Sequence, residues 1–287
     1  MSYRIEQTEP RLQAELPAQP YDKWRTLEGE VSVLFYRQPG GFRLRFPGRA
    51  DFSIELAART VRCRPCPDMV AEDLADLYFN QVLPLLLGHG GDAVLHASGI
   101  AVGGKAVGFI GPTGRGKSTL AAAFARAGHP FLTDDGLILD PAPPGFQVRP
   151  RRPILRLCAD SEAALVDRAG SPSEVVLWKE RVHAGIDLPF QDEPVPLCAL
   201  YVLREPSGCD APVIAALPPA AATTALMSHT FILDVEDRAA VAALFHRLGE
   251  VVDRVACFVL DYPRRYADLP GVVDAIIGHV HKEVQCS

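Results

Sequence analysis

Residues 95–135 read LHASGIAVGGKAVGFIGPTGRGKSTLAAAFARAGHPFLTDD. Inside this stretch, Gly111, Pro112, Thr113, Gly114, Arg115, Gly116, Lys117 and Ser118 fit the pattern G-x-x-x-x-G-K-[ST] without a mismatch. Glycines at such spacing let successive backbone N–H groups turn toward an anion. The helix that opens here adds the positive end of its dipole. Lys117 reaches toward terminal phosphates, the Ser118 hydroxyl suits Mg²⁺, and Thr119 extends the set of candidate nucleotide contacts. The flanks agree with this reading. Residues 94–102 read as a strand, Gly103-Gly104 as a two-residue turn, and 105–110 as a second strand running into the loop. A helix is predicted over 117–127, stopped by Gly128 and followed by His129 as a cap residue.

The short apolar run 130–133 delivers Asp134 and Asp135 behind the loop. One carboxylate there suits Mg²⁺, directly or through water, and a second suits the proton of an attacking hydroxyl. Two adjacent carboxylates repel unless a cation lies between them, which fits a metal–phosphate site. His96 precedes the hairpin; taken alone, a histidine in a strand is more often structural. Arg156, Lys179 and Arg181 are candidates to neutralise phosphate or substrate charge, with ordinary surface charge as the plainer reading.

Outward from this centre, the chain is 287 residues long, with 48% hydrophobic and 22% charged residues and a net charge of −6. That balance excludes bulk nucleic-acid binding. No signal core and no membrane span are read, so the expected location is the cytoplasm. Seven cysteines include one C-x2-C pair, Cys63 and Cys66. With no second pair to complete a zinc site, they read as reduced thiols around a strand-end turn. Residues 1–20 read as a loose arm. Period-two alternation from Val31 to Val61 predicts a small antiparallel sheet, and residues 69–87 carry helical spacing. Residues 141–152, rich in Pro and Arg, read as a loop. Strands are expected at 154–157, 197–203 and 255–260, and helices at 219–228, 237–248 and 269–280.

The combination of His96, the P-loop, Arg126-Ala127-Gly128-His129 and Asp134-Asp135 resembles the catalytic domain of bacterial HPr kinase/phosphorylase. The hairpin entering the loop also looks like the related phosphoenolpyruvate carboxykinases. The resemblance implies an α/β fold: an HPr kinase/PEP carboxykinase-like P-loop catalytic domain at 92–287. Ahead of it come a connecting helix at 69–91 and a small β-rich N-terminal domain at 1–68. It further implies ATP and Mg²⁺ as cofactors, a homo-oligomer, and His96, Lys117, Asp134 and Asp135 as catalytic. Ser118, Asp134 and Asp135 become metal ligands, with Asp135 favoured as the proton acceptor. Departures accompany the likeness. Thr119 stands where that family carries Glu, and Ile154-Leu155-Arg156-Leu157 replaces a segment like E-x-R-G-L-G. The chain is more similar to the shorter kinase-like forms associated with lasso-peptide gene clusters. The expectation is a kinase acting on a Ser hydroxyl of a peptide or protein, a lasso-type precursor included. A small-molecule kinase and a non-catalytic nucleotide-binding module are the alternatives.

Overall fold

The computed structural model describes residues 3–16, 19–26, 28–166, 180–185 and 188–285. The chain divides into two compact units, Met1–Leu86 and Leu87–Ser287, so the boundary falls inside the helical segment.

The first unit is built on a six-stranded sheet: β1 (Arg4–Gln7), β2 (Asp22–Arg25), β3 (Val31–Gln38), β4 (Gly41–Phe46), β5 (Ala50–Glu55) and β6 (Thr60–Pro65). Their order is β1-β6-β5-β4-β3-β2, antiparallel except where β1 lies parallel to β6. Alternation decides which face is covered. Phe42, Leu44, Phe46, Phe52, Ile54, Val61 and Cys63 are buried, while Arg43, Arg45, Ser53 and Arg62, which alternate with them, are not. The loose arm expected at 1–20 is corrected. Part of it is β1, and residues 8–13 continue along the sheet, with Thr8 N donating to Cys63 O and Arg11 N to Pro65 O. Polar side chains hid this order, because the backbone makes the bonds. Helices α1 (Ala71–Leu77) and α2 (Leu83–His89) flank a π-helical turn, Tyr78–Val82, so the expected helix is interrupted midway.

The second unit places β7 (Ala93–Leu95), β8 (Ala97–Val102), β9 (Lys105–Ile110), β10 (Phe131–Thr133), β11 (Leu137–Ala142), β12 (Gly145–Arg149), β15 (Val195–Leu203), β16 (Val213–Ala216) and β17 (Ala256–Asp261) in one nine-stranded sheet. Strands β13 (Ile154–Leu157) and β14 (Glu180–His183) form a separate ribbon. β8 and β9 are the predicted hairpin, turning at Gly103 (φ 56°) and Gly104 (φ 75°). β9, β15 and β17 run parallel, so their carboxyl ends meet on one side.

Helices cover both faces of this sheet. α3 (Lys117–Arg126) and α7 (Leu269–Gln285) pack on Val107, Phe109 and Tyr201. α5 (Pro219–Ser228) and α6 (Arg238–Arg254) pack on Ala106, Ile110 and Leu200. Neighbouring residues of β9 therefore serve opposite layers, as strand geometry requires. α4 (Ala159–Leu165), β14 and β16 had no counterpart in the sequence reading. Among the described residues, no helix is long and apolar enough to cross a membrane.

Two sequence expectations are corrected here. The strand read at 94–102 breaks at His96: β7 pairs with β11, whereas β8 pairs with β9 and β10. The expected loop at 141–152 contains the end of β11 and all of β12. Pro141 is tolerated because β11 pairs with β7 only through Leu137, Ile138 and Leu139, leaving no second ladder for the proline to interrupt.

Candidate functional site

The site begins where β9 ends. Gly114 and Gly116 take φ of 82° and 89°, a region that side chains disfavour. At Gly116 the reason is also spatial: a Cβ would lie 2.3 Å from the Tyr262 hydroxyl. Lys117 is buried, and its Nζ donates to the carbonyls of Gly111 (2.7 Å) and Pro112 (3.1 Å). The ammonium group is thus held against the loop from which phosphate oxygens would draw it.

The Asp pair closes β10, and the two carboxylates have different partners. Asp134 Oδ1 accepts from Ser98 Oγ at 2.6 Å and from Ser118 Oγ at 2.9 Å, while its Oδ2 accepts from the Arg156 backbone N–H at 2.9 Å. Asp135 takes φ 59°, a left-handed conformation that Asp tolerates better than most residues. Its Oδ2 accepts from Arg156 Nη1 at 3.1 Å, and His96 Nε2 lies 3.5 Å from its Oδ1. The turn lets neighbouring residues face different sides, which relieves the repulsion that adjacency would impose.

The break between β7 and β8 has a local cause. His96 N donates to His229 O at 2.6 Å, outside the sheet's own ladder. Thr230 bridges to Leu95, and the rings of His96 and Phe231 lie 6.0 Å apart. The segment after α5 therefore lies along the junction of β7 and β8, where His96 sits. Burial lowers the pKa of the His229 imidazole to about 4, with further lowering by the neighbouring His96 and Lys117. His229 is neutral at pH 7.

A cleft of about 240 Å³ opens beside the loop, lined in part by Lys117, Arg156, Ser161, Tyr262, Arg264 and Tyr266. Arg264 Nη1 donates to Arg115 O at 2.7 Å, and its guanidinium stacks 3.7 Å from the centre of the Tyr262 ring. Asp261 fixes the segments after β15 and β17, accepting from Ser207 N at 3.1 Å and from Tyr262 N at 2.9 Å. Thr119 Oγ1 lies 3.1 Å from Ser161 Oγ, which lies 3.0 Å from the Tyr266 hydroxyl. Thr119 thus begins a chain of hydroxyls along one wall.

The structure brings His96, Lys117, Ser118, Asp134, Asp135 and Arg156 together. Arg181 stands opposite Arg156 in the β13–β14 register. Lys179 lies outside the described residues. Cys63 lies within β6 and Cys66 just beyond it; burial pushes the Cys63 thiol up to about 12 and also raises Cys66. Sequence reasoning missed Ser98, His229, Tyr262 and Arg264. Ser98 carried a signal, a hydroxyl two residues after His96 in an apolar strand. The other three reach the site through chain folding alone.

The donors fit Mg²⁺ with a nucleotide phosphate. Ser118 and Asp134 offer hard oxygen atoms beside a loop of anion-facing geometry. No family model matches the chain, and no curated protein matches it. Among solved structures, the HPr(Ser) kinase/phosphatase from Coxiella burnetii is similar, covering 66% of this chain and 97% of its own at 13% identity and a TM-score of 0.37.

Proposed function

We propose that this chain is a P-loop kinase that transfers the γ-phosphoryl group of ATP to a Ser hydroxyl of a peptide or protein. The observation that carries the reading is the division of the Asp pair. Asp134 is bonded to the P-loop serine, whereas Asp135 faces His96 and Arg156. That division suits one carboxylate to the metal side of a phosphoryl transfer and the other to the acceptor side.

The residues then have distinct tasks. Lys117 and the N-terminus of α3 stabilise charge on the transferring group. Asp135 takes the proton of the acceptor hydroxyl as that oxygen bonds to phosphorus and ADP departs. Arg156 holds the Asp135 carboxylate in place, and His96 bounds it on the other side. Mg²⁺, held by Ser118 and Asp134, would neutralise phosphate charge when bound. A lasso-type precursor is the finer form of the proposal, supported by the sequence resemblance. The test is incubation of the protein and Mg·ATP with a serine-containing peptide library, a lasso-type precursor and small hydroxylated metabolites, read by mass spectrometry. Phosphorylated Ser on peptides is the expected result. Phosphorylation of metabolites alone would refute the acceptor class, and no transfer to any acceptor would refute the kinase.

A further inference from the structure

The first unit carries a charge pattern that phosphoryl transfer does not use. Residues 1–66 hold eleven Arg and Lys against eight Asp and Glu, in a chain of net charge −6. The excess is concentrated on one sheet face. Across β4, β5 and β6 the register aligns Arg43 with Ser53 and Arg62, and Arg45 with Asp51 and Arg64. Residues in register share a face, so two rows hold four arginines and one carboxylate. The opposite face is the buried one.

Some of this charge is already compensated. Arg45 pairs with Asp51 at 2.7 Å, and Arg62 pairs with Glu55 at 2.6 Å and with Glu6, its register partner on β1, at 3.4 Å. Arg43 meets neutral partners, Ser53 Oγ at 3.3 Å and, with the Gln38 amide turned to satisfy its own hydrogen bonds, the Gln38 side-chain oxygen at 3.1 Å, and no carboxylate. The side chains of Arg11 and Arg64 have no hydrogen-bond or ion-pair partner among the described residues. The arm at 8–16 closes one side of the face: Gln13 Nε2 donates to Asp51 Oδ1 at 2.9 Å, and Arg45 Nη1 donates to Ala14 O at 2.7 Å. Between arm and sheet lies a cleft of about 340 Å³, with Arg11, Leu12, Arg43 and Arg64 on its walls. Leu12 is 77% exposed.

We propose that this arginine-lined cleft docks an extended acidic peptide. Successive rows on one strand face are two residues apart, about 7 Å. An extended peptide carries its i and i+2 side chains at the same spacing, so two carboxylates would lie over the two rows. Guanidinium groups match carboxylates with paired, charge-assisted hydrogen bonds. Leu12 offers contact to an apolar side chain beside them. A single-stranded nucleic acid fits less well. The rows across β4–β6 present no aromatic ring on which a base could stack, and the whole chain repels polyanions.

The test is nucleotide-free binding of a fluorescein-labelled peptide, Gly-Leu-Glu-Val-Glu-Leu-Gly, to the full chain by anisotropy. The comparison ligands are its Gln-for-Glu twin, oligo-dT and phosphatidylglycerol vesicles. The Glu peptide is expected to bind in preference to all three. Affinity should fall ~10-fold in the double variant Arg11→Glu/Arg64→Glu, whose side chains make no hydrogen bond or ion pair among the described residues, and salt should weaken binding. Lys105→Glu, a like charge change in the second unit, should leave binding unchanged. The proposal is overturned if the Glu peptide does not bind, if any comparison ligand binds equally, or if the double variant binds as the wild type does.

Discussion

Asp134 and Ser118, sixteen positions apart, share a hydrogen bond of 2.9 Å, and through it the end of β10 is tied to the first turn of α3. The next residue, Asp135, has no part in that bond and turns toward Arg156 and His96. Neighbours in sequence thus belong to different halves of the site, and their removal should have different kinetic signatures.

Asp135→Asn should lower the phosphotransfer rate ~10²-fold or more, the scale for loss of a general base, with nucleotide affinity little changed. Asp134→Asn should instead raise the Mg²⁺ concentration needed for half-maximal rate, by ~10-fold or more. Steady-state kinetics at varied Mg²⁺ separate the two. A metal requirement that shifts only in Asp135→Asn would reverse the assignment.

Lys117→Ala should leave the far-UV circular dichroism intact and reduce turnover by ~10² or more, as removal of a transition-state charge donor does. Nζ bonds the carbonyls of Gly111 and Pro112, within the loop itself. A folded variant with undiminished turnover would contradict it.

His229 gives a pH prediction. Its folded pKa, about 4, lies below the ordinary histidine value near 6.5. The unfolded chain therefore takes up the proton first on acidification. The stabilisation from keeping this imidazole neutral is complete above about pH 6.5 and declines as pH falls toward 4. The thermal midpoint of wild type relative to His229→Gln should accordingly drop across that window. A pH-independent difference between the two would count against burial as the cause.

The centre of the second unit was legible because its physics is local. The hairpin, the glycines of the loop, α3 and the delivery of Asp134-Asp135 all follow from periodicity and turn chemistry within 41 residues of sequence. The walls were not legible. Tyr262 and Arg264 reach the loop because β17 lies parallel to β15, and β15 to β9. His229 reaches His96 by a backbone bond that any residue could make. β1 was missed for the same reason, since a parallel edge ladder needs no apolar side chains. Pro141 concealed β11, although the proline sits beyond its pairing with β7.

Gly116 joins the legible and illegible parts, and its substitution tests both. Gly116→Ala meets two separate penalties. A φ of 89° is unfavourable for any residue with a Cβ, on the order of 1–2 kcal/mol. The added Cβ would also lie 2.3 Å from the hydroxyl of Tyr262, which is almost fully buried and cannot simply swing away. Tyr262→Phe removes that hydroxyl and keeps the ring on which Arg264 stacks. In urea unfolding, the double variant Gly116→Ala/Tyr262→Phe should therefore be less destabilised than the sum of the two single variants. Relative to Tyr262→Phe alone, its cost should be about 1–2 kcal/mol, the backbone share. Nucleotide binding should remain impaired in the double variant, because the loop's amides still depend on the left-handed turn. Strict additivity of the two substitutions would show that the Tyr262 contact does not limit residue 116, and an unimpaired nucleotide affinity would show that the loop tolerates a side chain there.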